Sequence, residues 1–187
     1  MQNVFSLPIA QVSNFFYKRK FSVYNLTGHC NLDSTTYCSI WTEAQTGRSG
    51  NDKASALNKI LKAVTEKFSD INKIILWSDS CVPQNKNRVN SMMILKFLET
   101  HPNIKELHHK YSVPGHSHIQ EVDAVHSAIE RHLRGVSIYS PVSLIKHLLK
   151  MKYQKVKLHI MQLQKTDFYN YNIASQSFTW IPFTKIH

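Results

Sequence analysis

Between residues 52 and 134 the apolar residues change period several times, and this alternation constrains the fold more than any other feature of the chain. Leu57, Ile60, Leu61, Val64 and Phe68 recur at helical spacing, so 52–68 is expected to form an amphipathic helix whose stripe needs a sheet to cover. The run KIILWS at 73–78 is short and apolar, the pattern of a strand buried on both faces, and it stops at Asp79. Residues 88–100 carry Val89, Met92, Met93, Leu95, Phe97 and Leu98, a helix apolar round most of its circumference, and 106–113 reads as a further strand. Over 119–134, Ile119, Val122, Val125, Ile129 and Leu133 form one inward stripe, closed by Gly135 where a left-handed cap is commonest. Ser140-Pro141 then opens another helix, with Ser at the N-cap and Pro at the first position, burying Leu144, Ile145, Leu148 and Leu149.

Upstream, 15–28 (FFYKRKFSVYNLTG) is rich in aromatic and β-branched residues and reads as a strand, with a turn at 29–34 and a hairpin partner at 35–42. The tail from Val156 reads as one or two strands and loops. The order strand, strand, helix, strand, helix, strand, helix argues for an α/β fold, a mixed sheet with helices on its faces. A length of 187 residues suits one domain. Its core is expected over 1–135, and 136–187 is a basic helical and strand extension of the same domain.

Composition removes several classes of protein. Three cysteines without a C-x-x-C pair argue against a disulfide framework or a zinc ribbon, and five scattered glycines supply neither a dinucleotide fingerprint nor a phosphate loop. No apolar run approaches the roughly 18 residues needed to span a bilayer, so no membrane partner is expected. The start MQNVFSLPIAQ lacks the basic and apolar regions of a secretory signal, so the expected location is nuclear or cytoplasmic rather than secreted. Lys plus Arg number 23 against 12 acids, a net charge of +11 that favours polyanions. From Arg131 onward nine basic residues face Asp167 alone, and Lys18, Arg19 and Lys20 form a second knot. Tyr153, Phe168, Tyr169 and Tyr171, interleaved with that charge, are candidates to stack on bases. The plainer reading of the same charge is a solvated surface.

Asp79 is the sharpest chemical position, because open α/β sheets place ligands at the carboxyl ends of their strands. The alternative is an ordinary turn or cap aspartate. Asp123, His126 and Glu130 share one side of the 119–134 helix, and Glu121 lies on its first turn. Acids there are also favoured by the helix dipole, and Glu130 can pair with Arg134. Hard cations such as Mg²⁺ use few carboxylates from distant parts of a chain, and two such ions can clamp a phosphoryl displacement. Histidines 108, 109, 116, 118 and 126 lack structural-zinc spacing, and nothing in the sequence orients Cys81 with a histidine as a nucleophile and base. Asn25-Leu26-Thr27 matches a glycosylation sequon but reads as strand.

Four blocks in order, YKRKFSVYNLTGH (17–29), WTEAQTGRSGNDKAS (41–55), WSDSCVPQNKNR (77–88) and HKYSVPGHSHIQEVDAVHSAIER (109–131), resemble an uncharacterised transposon-derived domain family of animal genomes. Its members carry SD-x-C-x-x-QNKNR and GHS-x₅-D-x-x-H/F-x-x-IE. The family is similar to a ribonuclease H-like, DDE-type transposase or integrase core. The resemblance implies that Asp79 and Asp123 are the second and third catalytic carboxylates and the ligands of Mg²⁺ or Mn²⁺, and that Glu130 is the acid of the IE pair. It also implies that Gln84, Asn85, Lys86 and Asn87 form a polar loop beside the site. Together with the charge pattern, it assigns nucleic-acid contact to that loop and to Lys18, Arg19, Lys20, Arg88, His116, Arg131 and Arg134, with DNA favoured over RNA. Relatives begin with a strand of the F-D-L-Q kind, whose aspartate would fall before Met1. A ribonuclease H-like sheet carries three strands before its first helix, and only two are legible here. The first strand and first carboxylate are therefore expected to be missing. The expectation is a catalytically impaired transferase or nuclease remnant, or alternatively a non-catalytic nucleic-acid-binding or assembly module able to self-associate.

Overall fold

A computed structural model describes residues 4–9, 19–79, 81, 85, 87–112, 120–151 and 157–174. Strand β1 (Phe5–Leu7) is followed by a hairpin of β2 (Phe21–Cys30) and β3 (Thr35–Thr42). Helix α1 (Gly50–Lys67), strand β4 (Lys73–Ser78), helix α2 (Arg88–Thr100) and strand β5 (Glu106–Tyr111) come next. Helices α3 (Glu121–Leu133) and α4 (Pro141–Lys150), strand β6 (Lys157–Gln162), a 3₁₀ turn (Lys165–Asp167) and the short helix α5 (Tyr171–Ala174) complete the described chain.

The strands form two sheets, one of order β1-β2-β3-β6 and a pair β4-β5. β1 runs antiparallel to β2, β2 antiparallel to β3, and β3 parallel to β6. The α/β class and the mixed sheet stand as expected, but three strands rather than two precede the first helix. The added one, β1, has three residues ahead of Pro8, too few to show a period of two. Its pairing of Phe5 with Val23 and Leu7 with Phe21 is set by β2, not by its own pattern.

Every residue of β3 is buried, because helices cover both of its faces. On one side Cys38 and Ile40 join Val23, Phe5 and Leu7 beneath Val125, Ile129 and Leu133 of α3 and Leu144 and Leu148 of α4. On the other, Trp41 and Leu163 pack with Ala56 of α1, and the Ser39 hydroxyl donates to the Ala56 carbonyl at 3.2 Å. Gly28 lets α1 come close: a Cβ there would lie 3.3 Å from Ile60 Cγ2. The helix ends follow local chemistry. Ser49 and Asp52 make a capping box on α1, Ser140 Oγ accepts the Ser143 N–H ahead of Pro141, and Gly135 ends α3 at φ +76°. Leu149, expected inside, is 64% exposed, because α4 is a surface helix with a narrow buried stripe of Leu144 and Leu148.

The β4-β5 pair differs from the larger sheet. Ile74 packs with Ala54 and Leu61 of α1 and Met92, Met93 and Phe97 of α2, all on one side. The expectation of a strand buried on both faces is corrected here. Ile75 and Trp77 are 47% and 64% exposed, because α3 and α4 are committed to the other sheet and no described element lies over this face.

Candidate functional site

β4 and β5 are parallel and in register, with Ser78 opposite Tyr111, so both carboxyl ends open on the same side. That end holds a continuous hydrogen-bonded chain. The Asp79 carboxylate accepts from the Cys81 N–H at 3.0 Å and from Asn85 Nδ2 at 2.6 Å through the same oxygen, Oδ1. The Asn85 N–H returns to the Cys81 carbonyl at 2.7 Å, closing a compact loop. The Asn85 carbonyl in turn accepts from Asn90 Nδ2 at 3.0 Å and faces the Tyr111 hydroxyl at 3.4 Å. Asn90 is buried on the first turn of α2, whose N-cap, Asn87, accepts the Asn90 N–H. Asp79 is thus held in place by a buried asparagine and a helix cap.

Beneath it, His109 lies between Ser78 Oγ, 2.8 Å from Nε2, and the Tyr111 hydroxyl, 2.9 Å from Nδ1. Burial lowers the His109 pKa, so the ring is neutral near neutral pH. A neutral imidazole donates through one nitrogen and accepts through the other, which gives the Ser78–His109–Tyr111 chain a direction. The sequence reading missed this relay. Its signal was present in the alternation of ELHHKY, which sets Leu107, His109 and Tyr111 on the face turned toward the helices.

Asp123 lies outside the described bonds of this network. It is the third residue of α3, and its Oδ2 accepts the Gln120 N–H at 2.9 Å, so its visible role is to cap that helix. Glu130 and Arg131 are exposed on the same helix, and Arg134 is exposed at its C-cap. His126, expected beside the two acids, has Nε2 2.9 Å from Thr27 Oγ1 of the sheet, and the Asp123 charge acts on the same ring. Burial pushes its pKa down to about 4, which marks it as a neutral interior histidine. Of the basic knot, Arg19 pairs with Glu43 at 3.0 Å and Lys20 is exposed. Arg88 is exposed at the start of α2. Lys18, Gln84, Lys86, His116 and Tyr153 lie outside the described residues. Of the other aromatic residues proposed to stack on bases, Phe168 packs toward Trp41 and Tyr171 is 3% exposed, leaving Tyr169 as an open ring.

The three cysteines are free thiols. Among the described residues no three His, Cys, Asp or Glu side chains form a group able to hold a metal ion, and no helix is long and apolar enough to cross a membrane.

No curated protein and no solved structure matches the chain. One family model does match, over residues 20–178, a span that takes in β2 to α5 and all of the chain that forms the Asp79 end. The chain therefore belongs to the family of the domain of unknown function DUF7869.

Proposed function

We propose that this domain is a catalytically impaired remnant of a transposon-derived, ribonuclease H-like DDE polynucleotidyl transferase or nuclease, and that its present work is to bind nucleic acid, DNA rather than RNA, in the nucleus. The observation that carries the reading is Asp79 at the carboxyl end of a parallel strand pair, braced by Asn85. The net charge of +11 supports the polyanionic partner.

The ancestral chemistry would use Mg²⁺ or Mn²⁺ on Asp79 and Asp123. The described donors do not fit such a centre. One Asp79 oxygen already takes two N–H donors, Asp123 caps its own helix, and no third donor joins them in a group. This shortfall among the described residues supports the reading of impaired catalysis. The second reading, a non-catalytic nucleic-acid-binding or assembly module, draws on the same capping role of Asp123.

The test is binding of a labelled DNA duplex across a salt series, beside a Mn²⁺-dependent nicking assay, with the protein and its Asp79→Asn variant. Log affinity is expected to fall with log salt by about 0.9 per phosphate contacted, equally in both proteins, with no nicking in either. Absence of binding at low salt overturns the nucleic-acid role. Nicking that Asp79→Asn abolishes overturns the impairment and establishes an active enzyme.

A further inference from the structure

Away from Asp79 the molecule carries a concavity between α1, α2 and the segment that leads into α5. It encloses about 160 Å³ and is lined in part by Asn58 and Lys62 of α1, Lys96 and Thr100 of α2, and Tyr169 and Tyr171. Its wall is built rather than incidental. The Tyr169 N–H donates to Ser55 Oγ at 3.0 Å and the Tyr171 N–H to Asn51 Oδ1 at 3.0 Å, which ties this segment to the side of α1. The buried Tyr171 forms the floor, and Tyr169, 53% exposed, forms the rim, with the two rings 6.3 Å apart at 54°.

The lining carries two lysines and no carboxylate, and the nearby Asp167, within electrostatic reach of Lys62, is held at 2.9 Å by Lys59. Asn58 and Lys62 are four apart on α1, and Lys96 and Thr100 four apart on α2, so each helix offers one ammonium and one neutral polar group along the same face. An exposed tyrosine ring beside two ammonium groups suits a flat ring attached to an anion. The volume is below the roughly 300–1,000 Å³ of pockets that enclose a whole drug-sized ligand, so the groove suits one unit of a longer molecule. Phe97, on its wall, is ten residues from Asn87, about 15 Å along the helix from the end that holds Asp79.

We infer that the groove between α1 and α2 is a binding site for a nucleoside phosphate, either free or as one unit of a single strand, with the base on Tyr169 and the phosphate between Lys62 and Lys96. This rests on the nucleic-acid-binding part of the proposed function but owes nothing to Asp79.

The experiment uses the full chain and fluorescence anisotropy with a labelled twelve-residue thymidine strand, an abasic strand with the same number of phosphates, AMP as competitor and polyglutamate as a second competitor. The proteins are wild type, Tyr169→Leu, the double variant Lys62→Gln/Lys96→Gln, and Lys146→Gln on the exposed side of α4 as a remote charge control. The thymidine strand is expected to bind at least tenfold more tightly than the abasic one. Tyr169→Leu should bring that ratio close to one, the double variant should weaken the thymidine strand tenfold or more, and Lys146→Gln should stay within twofold of wild type. Displacement by AMP assigns the groove to free nucleotide as well as strand, and failure of AMP with these variant effects intact assigns it to strand alone. Equal binding of the two strands by wild type overturns the inference while leaving salt-dependent nucleic-acid binding standing. The double variant behaving like Lys146→Gln, or polyglutamate displacing the strand as well as unlabelled strand does, also overturns it. Failure of every strand to bind at low salt overturns this inference, while the proposed function stands or falls on the duplex measurement, and Asp79→Asn is expected to change none of these ratios.

Discussion

β3 mixes Thr35, Thr36, Ser39 and Thr42 with its apolar residues while β4 carries the apolar run Ile74–Trp77, yet β3 is buried at all eight positions and β4 alternates between exposed and covered ones. The difference lies in what covers them. The four-stranded sheet has α1 on one face and α3 with α4 on the other, whereas the β4-β5 pair has both of its helices on one side and leaves Ile75 and Trp77 open. An apolar run measures how much surface a strand can bury, and the neighbours decide how much it does. The Asp79 loop is built at the end of the lightly covered pair. Candidate sites belong on such ground, since parts of a fold that open at low free energy are those able to adapt to a ligand.

This comparison can be broken by mutation. Trp41 is fully buried, packs near Tyr24 and Phe168, and donates through Nε1 to the Gly47 carbonyl at 2.8 Å. Trp41→Ala is expected to cost about 3–5 kcal/mol in urea unfolding. Gly28→Val, which pushes into Ile60 where α1 meets β2, is expected to cost about 1–3 kcal/mol by overpacking. Ser140→Ala removes the N-cap of a helix that covers the larger sheet and should cost about 1 kcal/mol.

A narrower effect is confined to acid. His126 is neutral in the folded protein, with its pKa at about 4 against an ordinary histidine value of 6.5. Below 6.5 the unfolded chain binds a proton that the folded one does not, so stability falls as pH drops from about 6.5 toward 4 and is fully present above that window. His126→Gln is expected to flatten the unfolding midpoint across that range, and an unchanged slope would place the proton elsewhere.

The smallest expected effect is the counterpart of the first. Trp77→Ala loses an exposed ring and the Lys110 ammonium 5.0 Å from its centre, a change of about 1 kcal/mol or less. A loss as large as that of Trp41→Ala would mean that the open face is covered in solution. Amide exchange sharpens the same contrast, with β4 and β5 expected to open before β2 and β3.

Legibility followed the range of the interactions. Gly135, Ser140-Pro141 and the Val125, Ile129, Leu133 stripe were readable because caps and helical periods are set by residues three or four apart. Asp79 was readable as a position, since a carboxylate after an apolar strand has few places to go. Its bonds to Asn85, the bracing by Asn90 and the Ser78–His109 link of the relay were not, because they join groups between five and 31 residues apart. His126 was placed on the right helix, but its contact with Thr27 was not legible. Helical spacing fixes the angle of a side chain, and only the sheet beneath determines that Thr27 meets it.

What the chain determined by itself was therefore the identity and order of most elements and their ends, because those depend on local sterics and short hydrogen bonds. The tertiary structure decided the rest. β1 exists because β2 offers it an edge, and β6 lies parallel to β3, about 120 residues later in the chain, because that edge was open. The Asp123 carboxylate meets the Gln120 N–H, and beside the expected mixed sheet the β4-β5 pair stands as a separate sheet with less cover. Burial and pairing depend on which surfaces meet in space, and a pattern along the chain carries no record of that meeting.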